Sequence, residues 1–246
     1  MKLNVFKIGG NVIRKNESLE HFFTSFCKCT GPKILVHGGG NQANELIQQL
    51  QLPVRMHEGR RITDAATLRI AVMVYAGWVN KTLVAALGAR GCKAIGLSGA
   101  DGFCMRAVKR NPQPLDFGYV GDIDASGVHV TFIQRLLDDG FIPVFAPITC
   151  DDSGQLLNTN ADTIACTLSL AMKDKYKVTL HYLFDRDGVY GDEGSNPLTI
   201  LNKKQYERLR NRGVISDGMI PKIETALQAL RYGVEEVTVG NTYIQL

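Results

Sequence analysis

No two of the six cysteines (Cys27, Cys29, Cys92, Cys104, Cys150, Cys166) form a Cys-x-x-Cys pair, and Cys27-x-Cys29 is too tight for zinc ligation. The five histidines occur singly, so no metal cage is indicated and free, mostly buried thiols are expected. An excess of one charge is missing too. Lys and Arg number 28 against 24 Asp and Glu, and the resulting +4 is too small and dispersed to argue for nucleic acid. The local group Arg106, Lys109 and Arg110 reads as a solvated loop. No apolar run approaches the roughly 18 residues of a membrane span, so no membrane contact is expected. Met1-Lys2 passes straight into a β-prone run, which gives an expectation of no signal region and a cytoplasmic location. Two phosphate motifs are absent as well. Gly-x4-Gly-Lys-Ser/Thr does not occur, and Asp116-Phe117-Gly118 has no preceding His-Arg-Asp loop to make it a protein-kinase metal triplet.

What is present is an ordinary apolar content of 45%, enough for one large domain or two closely joined lobes. Strand-like runs at Leu3 to Ile8, Ile34 to Val36, Ala94 to Leu97, Phe141 to Phe145, Val178 to Phe184 and Glu236 to Val239 alternate with helical patterns. That alternation predicts an α/β fold, a three-layer αβα sandwich with a mainly parallel central sheet. Between Val108 and Asp124, Pro112, Pro114, Gly118 and Gly121 break the pattern, and a loop or hairpin excursion near the sheet edge is expected. No repeat, low-complexity tract or linker divides residues 1–246.

Chemistry concentrates at two glycine turns, Lys7-Ile8-Gly9-Gly10 and His37-Gly38-Gly39-Gly40, each placed where a strand should end and a helix begin. After the second, Ala43, Leu46, Ile47 and Leu50 mark one face of a helix. A glycine turn feeding a helix offers unpaired N–H groups and the positive end of the dipole to a phosphoryl group. Two such turns suggest one polyphosphate held from two sides. A competing reading takes Gly38-x-Gly40-x-x-Ala43, with Glu58 about twenty residues on, as a dinucleotide fingerprint and the chain as a nicotinamide-dependent oxidoreductase. That reading leaves the first turn and Lys7 unexplained.

Lys7 ends its strand either as a surface lysine or buried, where it is costly without an anion. Lys222 stands in the first turn of a helix with an Ile223, Ala226, Leu227, Leu230 stripe, against the dipole preference, and reads either as a surface cation or as one that an anion compensates. Asn158-Thr159-Asn160-Ala161-Asp162 opens a helix carrying Ile164, Leu168 and Met172 with more polar side chains than one cap needs. Gly59-Arg60-Arg61-Ile62-Thr63-Asp64 reads as a helix entry with Thr63 or Asp64 as cap. Its paired arginines either bind a carboxylate or face water.

Together these segments, with Val79-Asn80-Lys81-Thr82-Leu83, Gly96-Leu97-Ser98-Gly99-Ala100-Asp101-Gly102, Val120-Gly121-Asp122 and Ser216-Asp217-Gly218-Met219, resemble in order the acetylglutamate kinase family of the amino-acid kinase superfamily. The resemblance implies the αβα amino-acid kinase fold, an acceptor lobe over about 1–172 and a nucleotide lobe over about 173–246. It implies transfer of a phosphoryl group from ATP, with Mg²⁺ held through phosphates and water, to the γ-carboxylate of an N-acylated glutamate in arginine biosynthesis. By the same resemblance Lys7, Asp162 and Lys222 are catalytic, and Gly9, Gly10, Gly39 and Gly40 hold phosphate. Arg61, Asn158 and Arg60 bind the amino-acid substrate, and Asp185, Asp187, Tyr190, Gly218 and Met219 bind nucleotide. A homodimer formed around Trp78 to Gly96 is implied, and a non-catalytic amino-acid sensor is the reading in which the fold outlives the chemistry. Three departures stand out: Ala100 replaces a common lysine, Arg60 replaces a common aliphatic residue, and the N-terminal helix of arginine-inhibited members is missing, so strong arginine inhibition is not expected. N-acetyl-L-glutamate is the default substrate. Arg60 suits the second carboxylate of an N-succinyl group better than a methyl.

Overall fold

Strands that are apolar along their whole length need cover on both faces, and the chain supplies a helix after most of them. The structure, a computed structural model, describes every residue except Glu58, Glu193, Ser195 and Asp217. The first half runs β1 (Lys2–Ile8), α1 (Gly10–Arg14), α2 (Asn16–Lys28), β2 (Lys33–His37), α3 (Gly40–Gln49), β3 (Met56–His57), β4 (Arg60–Arg61), α4 (Ala65–Ala71), α5 (Asn80–Gly88) and β5 (Ala94–Leu97). Next come β6 (Val108–Lys109), β7 (Gly121–Asp122), α6 (Val130–Asp138), β8 (Ile142–Phe145), β9 (Ile148–Cys150), β10 (Leu156–Asn158) and α7 (Ala161–Met172). The chain closes with β11 (Lys177–Leu183), β12 (Ile200–Asn202), α8 (Lys203–Asn211), α9 (Met219–Arg231), β13 (Glu236–Val239) and β14 (Thr242–Gln245).

Eight strands form one sheet in the order β12-β14-β13-β11-β1-β2-β8-β5, parallel throughout except for the β13–β14 pair. Each of the six expected strands is present within a residue or two of its expected ends. The sheet is the middle layer, with one core cluster containing Leu168, Met172, Ile223 and Leu227 on α7 and α9, and another containing Phe22, Phe26, Ile47, Val79 and Leu83. At the centre, Ile8 pairs with His37 on one side and Leu183 on the other. The carboxyl ends of β1, β2 and β11 therefore open at one edge, where the strand order reverses about β1; such a crevice is where open α/β sheets bind ligands.

Several expectations change in detail. On α3, Ala43 and Ile47 are buried and Leu46 is half-buried, whereas Leu50 lies just past the helix end and is exposed. Ile164, Leu168 and Met172 are fully inward, as are Ile223 and Ala226. Of the six free thiols, Cys104, Cys150 and Cys166 are buried while Cys27, Cys29 and Cys92 are half-buried. The excursion after Val108 is a short β6–β7 hairpin. One correction concerns apolar length: α4, a π-helical segment Val72–Val79 and α5 form a continuous helix, Ala65–Gly88, of 24 residues, with an 18-residue stretch of mean hydropathy 1.5, long and apolar enough to cross a membrane. Leu68, Ile70, Val74, Tyr75, Val79, Leu83 and Leu87 pack inward from it, which is the behaviour of a core helix.

Candidate active site

β1 delivers Lys7 to the crevice, and burial removes its ammonium from water. Asp162 answers it from the first turn of α7, where Asn160 caps the helix by accepting N–H bonds from Asp162 and Thr163 at 2.8 and 3.1 Å. A carboxylate is favoured at that helix end. Its Oδ1 lies 2.7 Å from Lys7 Nζ and its Oδ2 3.4 Å from Lys222 Nζ, the latter entering from the first turn of α9. Burial alone would raise the Asp162 pKa, but the two lysines outweigh it and hold the carboxyl below its ordinary value. One ionised carboxylate thus holds two cations that would otherwise repel each other.

The glycine turns face this trio. Gly9 donates its N–H to the Leu183 carbonyl at 3.2 Å, so it shapes the turn rather than offering a donor. Gly10 and Gly40 open α1 and α3, where the first N–H groups have no intrahelical acceptor. Gly39 must be glycine because a Cβ would lie 2.7 Å from Cδ1 of Tyr75. The second turn is braced from behind by His37, whose Nδ1 donates to the Gly38 carbonyl at 2.7 Å and whose Nε2 accepts from Asn80 Nδ2 at 3.1 Å. Burial pushes the His37 pKa down to about 4, so the ring is neutral and this tautomer follows from its partners. The Asn80 amide also reaches the Val144 carbonyl at 2.8 Å, which gives the Val79-Asn80-Lys81 motif its job.

Two cavities meet at Gly38, Gly39, Gly40 and Gly59. The larger, about 620 Å³, is lined by Lys7, Lys222, Asp185, Tyr190, Gly218 and Met219 among others. Asp187 does not line it; its carbonyl accepts the Asn241 N–H at 2.6 Å on the far side of the loop. The smaller, about 180 Å³, is lined by Arg60, Arg61, Tyr75, Arg110 and Asn158. Arg61 is buried and donates from Nη2 to the Gly40 carbonyl at 3.1 Å and to Asn44 Oδ1 at 2.5 Å. Its Nη1 is buried without a partner among the described residues, a donor suited to a carboxylate. Asn158 gives one amide N–H to Thr63 Oγ1 at 3.0 Å and keeps its second donor. Asp64, not Thr63, caps α4 through the Thr67 N–H. Arg60 is exposed on the β3–β4 hairpin at the cavity's rim.

Sequence reasoning passed over three lining residues. Asn11 links both glycine turns to the β11 loop, donating to Asp185 Oδ2 at 3.1 Å and accepting from Asn41 at 2.7 Å; an Asn directly after Gly9-Gly10 was the available signal. Tyr75 was hidden in an apolar run, with no signal of its own. Arg110, read as solvated, is half-buried against Phe117 and paired with Asp122. The Ser98 to Gly102 segment closes on itself, with Asp101 accepting from Ser98 N and Oγ at 2.6 and 2.8 Å, and Ala100 lines neither cavity. The acid of the dinucleotide reading, Glu58, and Asp217 of the Ser216 motif lie outside the described residues.

Two cations on one carboxylate, facing glycine turns at the junction of two cavities, equip a protein to move a phosphoryl group, and the class so defined is a phosphotransferase. The chain belongs to the amino acid kinase family, whose sequence model matches residues 2–241, and within it to the acetylglutamate kinases. It is 43% identical over 240 residues to an acetylglutamate kinase of Bacteroides fragilis, covering 97% of this chain and 91% of that one. Among solved structures it is similar to smu.665 from Streptococcus mutans UA159, with 26% identity, a TM-score of 0.81, and coverage of 99% and 98%. It is also similar in fold to the N-acetylglutamate synthase from Neisseria gonorrhoeae solved with coenzyme A and N-acetyl-glutamate, at 20% identity and a TM-score of 0.82, covering 98% of this chain and 59% of that one. Family membership overturns the oxidoreductase reading of the Gly38 turn.

Proposed function

We propose that the chain transfers the γ-phosphoryl of MgATP to the γ-carboxylate of an N-acyl-L-glutamate, forming an acyl phosphate in arginine biosynthesis. The observation that carries this is Asp162 bridging Lys7 and Lys222, the two lysines that line the larger cavity, which meets the smaller one at the second glycine turn. The larger cavity takes the nucleotide, with adenine and ribose toward Asp185, Tyr190, Gly218 and Met219 in the lobe from about 173 onward. The smaller takes the acceptor, its α-carboxylate on Arg61 and Asn158. An acceptor carboxylate with a pKa of about 4.3 is ionised at neutral pH and needs no general base. One γ-carboxylate oxygen forms a bond to phosphorus while the bond to the β–γ bridging oxygen breaks, and ADP leaves carrying the released charge.

The protein's task is electrostatic. Lys7 and Lys222 neutralise the transferring oxygens and the leaving diphosphate, Asp162 keeps both lysines in place, and the Gly10 and Gly40 amides donate to the phosphoryl group. A Mg²⁺ would be held mainly by the ATP phosphates and water. There it would offset phosphate charge. The functional form is a homodimer: Met73 and Trp78 are 49% and 72% exposed on the Ala65–Gly88 helix, and β5 beside it is a sheet edge. Incubation with MgATP, an N-acyl-L-glutamate and hydroxylamine tests the reaction. ADP and a hydroxamate should form in equal amounts; ADP without hydroxamate, or neither, refutes it.

A further inference from the structure

The smaller cavity has more cationic capacity than one bound carboxylate requires. Arg60, Arg61 and Arg110 line it, and no acidic side chain among the described residues does. Arg61 serves the α-carboxylate, and the γ-carboxylate lies toward Lys7 and Lys222. Arg60, exposed at the rim, and Arg110 are left over, and of the two Arg110 is the one packed into the wall.

Arg110 is held in this wall by design of the backbone. Its N–H donates to the Val120 carbonyl at 2.8 Å, Tyr119 N donates to Thr63 O at 2.7 Å, and Asn158 N donates to Tyr119 O at 2.9 Å. The β6–β7 hairpin is thereby laced to Thr63, two residues past Arg61, and to Asn158. The guanidinium stacks 5.2 Å from the Phe117 ring centroid, and Nε and Nη2 donate to the Asp122 carboxylate. With the side chain only 18% exposed, Nη1 is buried and has no acceptor among the described residues. A buried donor left without a partner is costly, more so on a charged group.

We infer that the acyl group of the substrate itself ends in a carboxylate, succinyl being the four-carbon case, and that Arg110 is the residue that reads it. This rests on the reading of the substrate as an N-acyl-L-glutamate. An acetyl methyl leaves the Arg110 donor unpaired, whereas a terminal carboxylate accepts from it in a charge-assisted bond. Asp122 fixes the guanidinium plane and cancels one charge, so Arg60 at the rim adds the net positive potential that draws a second carboxylate inward.

The test compares kcat/KM for N-succinyl-, N-acetyl- and N-(3-carbamoylpropionyl)-L-glutamate, the last a neutral isostere of the succinyl compound. Wild type should favour the succinyl substrate over both others by on the order of a hundredfold, because a site built around a buried polar contact rejects an analogue lacking it. Arg110→Gln should shrink the succinyl preference by at least about tenfold through KM, with the KM for MgATP unchanged. A residue of purely structural role would weaken all three substrates alike. If Arg110→Gln fails to fold, the wild-type comparison still decides. Turnover of the acetyl compound with no succinyl preference overturns this inference alone; no turnover of any N-acyl-L-glutamate overturns it together with the proposed reaction. A preference lost in Arg60→Leu but kept in Arg110→Gln overturns the assignment to Arg110.

Discussion

Asp162→Asn deletes one charge and almost no volume from the contact that joins β1, α7 and α9. The carboxylate sits 2.7 Å from one ammonium and 3.4 Å from the other with 20% of its side chain exposed. Removing one partner of a fully buried pair costs about 3–5 kcal/mol, and the remaining exposure lets water screen the two cations, which brings the expectation to about 1–3 kcal/mol. At this chain length each kcal/mol moves Tm by about 2–4 °C, so the variant should melt about 2–12 °C lower. Nucleotide phosphates supply negative charge to the same lysines, and MgATP should therefore raise the Tm of the variant more than that of wild type.

The pH dependence has a definite sign. Asp162 is held below its ordinary value of 3.8, so its stabilisation is fully present above that value and is lost as pH falls through the lower folded value. The gap in stability between wild type and Asp162→Asn should be flat from neutral pH to about pH 5 and close in stronger acid, where the wild-type carboxyl also becomes neutral. With the lysines displaced, kcat should fall by on the order of 10² or more. Thermal melts across pH and coupled ADP release read both effects. A variant with unchanged Tm and kcat within about threefold of wild type would refute the idea that this carboxylate organises the lysines.

Lys7→Ala should lower kcat by at least on the order of 10² with a smaller change in substrate KM, in steady-state assays; near-normal turnover would place the phosphoryl site elsewhere. Arg61→Leu should weaken the amino-acid substrate by roughly 2–4 kcal/mol in KM while leaving ATP affinity nearly intact, and a defect confined to ATP would reassign the residue. Trp78→Glu should convert the proposed homodimer to monomer in light scattering, since it puts a charge on the exposed apolar face of the long helix; a wild-type chain that is monomeric at working concentration contradicts the proposed interface.

Much of this fold was legible because parallel strands buried on both faces write themselves as unbroken apolar runs, as in Leu3 to Ile8 and Val178 to Phe184. β12 and β14 escaped notice because three- and four-residue strands at one end of the sheet leave too short a pattern, and Tyr243 and Ile200 face solvent. The β9–β10 hairpin was hidden for a related reason: its strands of three residues merge with the end of β8 and the start of the Asn158 segment. At the site, Lys7 and Lys222 were visible as charges in expensive places, and Asp162 as a polar side chain beyond what one helix cap needs. Arg110 was not, since its burial depends on a hairpin folding back onto Thr63 and Asn158, a long-range event that local composition cannot encode. Asp187 differs from its neighbours: Asp185, Arg186 and Gly188 line the larger cavity, whereas the Asp187 carbonyl accepts from Asn241.

The central claim is that one phosphoryl group passes between the two cavities at the glycine turns, and the most direct measurement is a crystal structure with MgADP, fluoroaluminate and N-succinyl-L-glutamate. ADP should occupy the cavity bounded by Tyr190 and Met219, and the acceptor should lie between Arg61 and Arg110. The fluoroaluminate should lie within hydrogen-bond reach of Lys7, Lys222 and the Gly10 and Gly40 amides. Nucleotide seated instead in the separate cavity between α2 and the Asp185 to Asp187 loop, or an acceptor carboxylate that does not face Lys7, would contradict it.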